Sequence, residues 1–226
     1  MAKLTIEVFS DAVCPWCWFG KRRLEKALAL LGADAADVAV AWRPFQLNPD
    51  LPRGGMDRRA YRTAKFGSWE RSLELEARVA EVGAGEGAAF DFARIARTPN
   101  TFDAHRLVWL AGREGAQPAA VEALFRAYFA EGRDIGRAEV LAELGAGAGL
   151  DRTAVERMLT SDIGSDEVRA EEARGRGLGL DGVPAFVIGG RAILVGAHEP
   201  PRLASAIRAA LRPPAAQPPS TQEPDR

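Results

Sequence analysis

Hydrophobic and polar positions alternate at the start of the chain. Leu4, Ile6 and Val8 interleave with Thr5 and Glu7 before Phe9, which predicts a short strand. A loop, Ser10 to Val13, follows, and then the period changes. Cys17, Leu24, Leu28 and Leu31 recur on one stripe of a helix that opens at Cys14 and ends at Gly32. Val38, Val40 and Trp42 alternate again before Pro44, so the opening reads as a βαβ unit with parallel strands. From Asp57 to Arg176 strand signals fade and glycine-containing breaks separate helical stretches. Ala104, Leu107, Val108 and Ala111 make one apolar stripe; Val121, Leu124, Phe125, Tyr128 and Phe129 make another. Further helices are expected near Arg137, Asp151 and Ser165, the last two as N-caps. Strand character returns in Val183 to Ile188 and Arg191 to Val195, and Gly189-Gly190 between them predicts a hairpin. Leu203, Ile207 and Leu211 mark a last helix. The order βαβ, helical block, ββα defines an α/β protein, and Pro213 to Arg226 reads as a disordered tail.

The 226 residues suffice for one compact domain with a sizeable insertion. A formal net charge of -1 leaves no broad positive field, which argues against nucleic acid as a partner. Lys21-Arg22-Arg23 reads as a solvated helix face, about 10 Å along the axis from Cys14 and largely screened by salt. No run of about 18 apolar residues predicts a membrane span. The N-terminus enters its strand with no apolar leader, so the expected location is cytoplasmic.

The two cysteines, Cys14 and Cys17, sit where the strand and loop open the helix. In a reducing compartment a structural disulfide is not expected to persist there. Unpaired N–H groups and the helix dipole favour a thiolate at Cys14, and Pro15 suits the first turn because its missing N–H has no partner there. Cys14 is therefore the expected nucleophile, and Cys17, aligned with the buried leucines, the shielded resolving thiol. Zinc needs about four ligands, and the only histidines, His105 and His198, stand far apart in sequence, so no metal site is expected. No cofactor is expected either.

Ser10-Asp-Ala-Val-Cys-Pro-Trp-Cys-Trp-Phe-Gly-Lys-Arg-Arg-Leu24, Pro99-Asn-Thr-Phe-Asp-Ala-His-Arg106 and Gly182-Val-Pro-Ala-Phe-Val187 carry a family likeness. With the element order, they make the chain resemble DsbA-like thioredoxin-fold oxidoreductases. The resemblance is strongest to the cytosolic FrnE-like branch of the superfamily that includes 2-hydroxychromene-2-carboxylate isomerases. It implies a thioredoxin fold, residues 1–52 and 178–212, with a large all-α domain, 53–177, inserted between the βαβ and ββα halves and a tail at 213–226. It also implies a cis peptide before Pro184, beside the dithiol, with the Val183 backbone as a docking edge for extended substrate.

Alternation alone makes Glu7 solvent-facing. The resemblance puts it instead under the dithiol, where a buried carboxylate would exchange a proton with Cys17. His105 reads from its pattern as a helix-surface or capping residue; if its helix overhangs the active site, it is a substrate contact. Trp16, inside the motif, is expected to be exposed and to contact substrate, and Trp18 to pack between domains. The implied activity is thiol–disulfide exchange on protein or peptide disulfides, as reductase or isomerase, with glutathione or a thioredoxin-like protein as reductant. Two rivals stand beside it. One is a glutathione-dependent isomerase or kappa-class glutathione transferase-like enzyme, whose active position usually carries serine; the other is a chaperone-like binder that needs neither cysteine.

Overall fold

The computed structural model describes residues 2–212. In chain order the elements are β1 (Leu4–Ser10), α1 (Pro15–Leu31), a 3-10 turn (Gly32–Asp37), β2 (Val38–Pro44), β3 (Met56–Asp57), α2 (Arg58–Phe66) and α3 (Trp69–Glu86). A short turn and β4 (Arg97–Thr98) lead to α4 (Phe102–Arg113) and α5 (Gln117–Phe125), which runs on as a π-helical turn (Arg126–Ala130). Then come α6 (Ala138–Gly147), α7 (Arg152–Leu159), α8 (Ser165–Gly177), β5 (Ala185–Ile188), β6 (Ala192–Val195) and α9 (Pro200–Leu211). The expected tail lies outside the described residues.

The main sheet has the order β2-β1-β5-β6. β1 and β2 run parallel, with Leu4 opposite Val38 and Ser10 opposite Pro44, as their βα crossover requires. β5 is antiparallel to both β1 and β6. Ile6 and Val8 point to one face and pack with Cys17, Leu24 and Ala27 of α1 and Leu203 and Ile207 of α9. Phe9 points to the other face, into a smaller cluster with Phe45, Leu180, Ala185 and Val187 beneath α8. Gly189 and Gly190, at φ 59° and 69°, make the hairpin turn between β5 and β6, a conformation that side chains resist. Gly20 has a different task. A Cβ there would come within 2.8 Å of Pro184 Cγ, so only glycine lets α1 lie directly on the Pro184 loop.

Some expectations change. Asp151 caps α7, accepting from Ala154 N at 2.7 Å, but the α8 cap is Gly164, and Ser165 is the buried first helical residue. The ring of Trp109 lies 2.6 Å from where a Cβ of residue 164 would be, which leaves no room for a capping side chain. The block between β2 and β5 is not purely helical, because β3 and β4 pair antiparallel. The basic run of α1 is not a solvated face. Lys21 is only 5% exposed and pairs with Glu122 of α5 at 2.7 Å. Arg22 also reaches Glu122, while Arg23 and Lys26 hold Glu86 at the end of α3 at 2.7 and 2.6 Å. These bases fasten the thioredoxin helix to the helical block, with Trp18 clustered against Phe125 and Phe129 beside them.

Candidate active site

Cys14 is the N-cap of α1, with extended backbone, and Pro15 occupies the first helical position. Its own N–H donates to Asp11 O at 3.0 Å, and its carbonyl accepts from Cys17 N at 3.1 Å, which folds the motif into the first turn. Both cysteines are free thiols. Cys17 faces the core and has no exposure, as the leucine stripe requires; burial pushes its thiol well above the ordinary range, and the Cys14 sulfur beside it adds to the shift. The Ser10 hydroxyl and a backbone hydrogen bond from Asp11 act in the opposite direction. Cys14 is more enclosed than a surface nucleophile, at 5% exposure, and lines an open cavity.

The Val183–Pro184 peptide is cis, and the Cys14 thiol donates to Val183 O at 3.6 Å. Pro184 is buried against α1 and Val183 is half-buried. Trp16 is 46% exposed and stands edge-on to Phe19, an apolar surface next to the sulfur. Cys14, Cys17, Trp16, Val183 and Pro184 thus meet at one end of the sheet.

Glu7 does not join them. The pleat sends it to the face opposite Ile6, Val8 and Cys17, where it pairs with Arg43 at 2.8 Å and Arg174 of α8 at 2.7 Å. The expected proton exchange with Cys17 is therefore corrected to a structural ion pair that ties α8 to the sheet. A different carboxylate is buried in the loop that leads into the dithiol. Asp11 has no exposure, and its Oδ2 accepts from Leu47 N at 2.8 Å. Its Oδ1 faces Nε2 of His105, buried on α4, at 3.5 Å, and neither atom has a hydrogen-bond partner elsewhere among the described residues. His105 is therefore a buried neighbour of Asp11 and not a surface cap. Asp11 and Ser10 look like ordinary loop residues in the sequence; the one clue is an acid three positions before the first cysteine.

Next to Cys14, between the start of α1, α2, α3 and the π-helical turn, lies a cavity of about 460 Å³. Trp16, Tyr61, Phe66, Phe92, Tyr128 and Phe129 give it aromatic walls. Arg58 and Arg62 share the carboxylate of Glu76 inside it, at 2.6 and 2.8 Å. Nothing in the sequence pattern marks this space, because its walls come from segments far apart in the chain.

A helix-capping dithiol beside a cis-proline loop, on a four-stranded sheet flanked by helices, defines a thioredoxin-fold redox protein. Residues 5–208 match the family model of the DSBA-like thioredoxin domain, and the chain belongs to that family. It is similar to the YwbO protein of Bacillus subtilis, at 28% identity over 190 residues, covering 81% of this chain and 86% of that one. Its structure is similar to that of a probable DsbA oxidoreductase from Streptomyces coelicolor, with a TM-score of 0.86 and 35% identity over 96% of this chain and 94% of the other. The fold alone is shared with the cytosolic disulfide reductase DsbM of Pseudomonas aeruginosa, solved with GSH, at a TM-score of 0.59 and 21% identity, covering 92% and 95% of the two chains. Among the described residues no helix is long and apolar enough to cross a membrane.

Proposed function

We propose that this DsbA-like oxidoreductase reduces or reshuffles disulfides of protein and peptide substrates through Cys14 and Cys17. The observation that carries the reading is the Cys14 sulfur at the start of α1, hydrogen-bonded to the Val183 carbonyl of the cis-proline loop. Substrate backbone pairs along Val183, its apolar side chains rest on Trp16, and its sulfur comes into line with Cys14. The Cys14 thiolate attacks that sulfur, the substrate S–S bond breaks, and one substrate thiolate leaves. Cys17 then gives up its proton and attacks the Cys14 sulfur, releasing the second thiolate and leaving a Cys14–Cys17 disulfide that an external thiol such as glutathione reduces.

Burial keeps Cys17 protonated until that second step, which stops it from competing for substrate. The buried Asp11–His105 pair, on the loop that leads into Cys14 and on α4, is our candidate for the proton acceptor of Cys17 in the resolving step, the role that the family resemblance implies for Glu7. Pro184 shapes the docking edge. The presence of both thiols disfavours a glutathione-dependent isomerisation, which would borrow its thiol from the cosubstrate.

The test uses a model protein disulfide with glutathione as reductant. Wild type should turn over, Cys14→Ser should not, and Cys17→Ser should accumulate a mixed disulfide detectable as a mass adduct on Cys14. Comparable turnover in Cys14→Ser would remove the dithiol reading.

A further inference from the structure

The cavity beside Cys14 has the size of a small-molecule site, since such pockets hold roughly 300 to 1,000 Å³ and combine apolar walls with a few convergent polar groups. Its charge is lopsided. Arg58, Arg62, Lys65 and Arg78 line it against the single carboxylate of Glu76. Glu76 is committed to Arg58 and Arg62. Lys65 bonds only to the Tyr61 hydroxyl, and Arg78 has no ion-pair partner among the described residues. Both are exposed, so they stand at the mouth of a chamber whose interior is aromatic.

We infer that this cavity binds small organic anions with a ring-sized apolar body, and that it delivers low-molecular-weight disulfides bearing a carboxylate to Cys14. The inference rests on the dithiol exchange proposed above and adds a second substrate class to it. An extended peptide runs along the Val183 edge; a compact aromatic anion enters between Lys65 and Arg78 and lies against Tyr61, Phe66 and Phe92 with its sulfur at Cys14. The chemistry balances as for a protein substrate. Cys14 thiolate attacks the disulfide RSSR, the S–S bond breaks, and RS⁻ leaves and takes up a proton. Cys17 loses its proton and displaces the second RS⁻ from Cys14. The small disulfide gains two electrons and two protons, the enzyme dithiol loses them, and two equivalents of a monothiol such as glutathione restore it.

The experiment uses the full reduced chain and stopped-flow rates of first thiolate release. The probes are dithiobis(nitrobenzoate), an aromatic dicarboxylate disulfide, and neutral dithiodipyridine, each rate divided by that of free cysteine with the same probe. The anionic probe should be favoured by about tenfold or more, within the range that focused charge lends to association rates. Lys65→Glu combined with Arg78→Glu should remove that preference and leave the dithiodipyridine rate unchanged, and Val79→Trp, which fills the chamber beside Cys14, should slow both ring-bearing probes. Arg59→Glu, on the same helix but outside the lining, should change neither rate. If wild type shows no preference, or the mouth variants keep it, or Arg59→Glu abolishes it equally, the cavity assignment is overturned while reaction of both probes upholds the dithiol. If neither probe reacts with Cys14, both readings fall.

Discussion

Asp11 holds one carboxylate oxygen on the Leu47 amide and turns the other to His105, in a region that excludes water. Apart from that amide, Asp11 Oδ1 and His105 Nε2 face only each other, and buried polar atoms without further partners are costly to keep. Asp11→Asn retains the bond from Leu47 and removes the proton acceptor. We expect it to slow decay of the mixed disulfide at neutral pH by about a hundredfold, the lower end of what a positioned base contributes. The rate should recover as pH rises, because hydroxide can then deprotonate Cys17. Stopped-flow decay rates across pH for wild type, Asp11→Asn and His105→Gln check this. A lowered melting temperature with an unaltered pH profile would mean that the pair is purely structural. Arg106, nearly buried, has a role of that structural kind: it donates to the carbonyls of Met158, Ser161 and Ile163 and closes the end of α7.

Among the elements, α1 does most to join chemistry to stability. One end presents Cys14, the middle lies on Pro184 through Gly20, and the flank carries Trp18 into the helical block. Trp18 is 2% exposed and touches Phe90, Phe125 and Phe129 with ring centroids 5.1 to 6.1 Å apart. Trp18→Ala should therefore cost about 3 to 5 kcal/mol, the usual loss for a large buried aromatic, read from the midpoint of urea unfolding. Because the same packing holds the π-helical turn that lines the cavity beside Cys14, the variant should also react more slowly with small anionic disulfides. A loss below about 1 kcal/mol would show that the interface relaxes around the missing ring.

Over the molecule as a whole, the sheet and the helical block are joined by ion pairs as well as by aromatic contacts, and this makes their docking pH-dependent. Burial pushes the Glu86 carboxyl up, but hydrogen bonds from Lys26 and Arg23 outweigh it and hold it below the usual carboxylate range. Its folded value lies below its unfolded one. The stabilisation is thus complete above the ordinary glutamate value, about 4.3, and is lost as pH falls through the lowered value. Melting temperature measured against pH should fall on that acid limb, and Glu86→Gln should lie lower at neutral pH with a shallower acid decline. Parallel curves for the two proteins would mean that the pairs contribute only as exposed bridges do.

Local periodicity accounts for most of what the amino-acid sequence determines by itself. A period of two for β1 and β2, a three-to-four spacing for α1, α4 and α5, and paired glycines between β5 and β6 are all written within a few residues of one another. So is a dithiol at a helix start, because the cap position and Pro15 depend only on neighbours in the chain. The faces of β1 are a different matter. Alternation shows that Glu7 and Val8 point opposite ways, yet not that α8 brings Arg174 to cover one face while α1 brings Cys17 to the other. The burial of Lys21, the meeting of Asp11 with His105 and the aromatic cavity likewise depend on segments far apart in sequence, which no local pattern can align. The dithiol is legible because its chemistry is local; the groups that surround it are settled by packing, where desolvation and charge pairing act between residues that only the folded chain brings together.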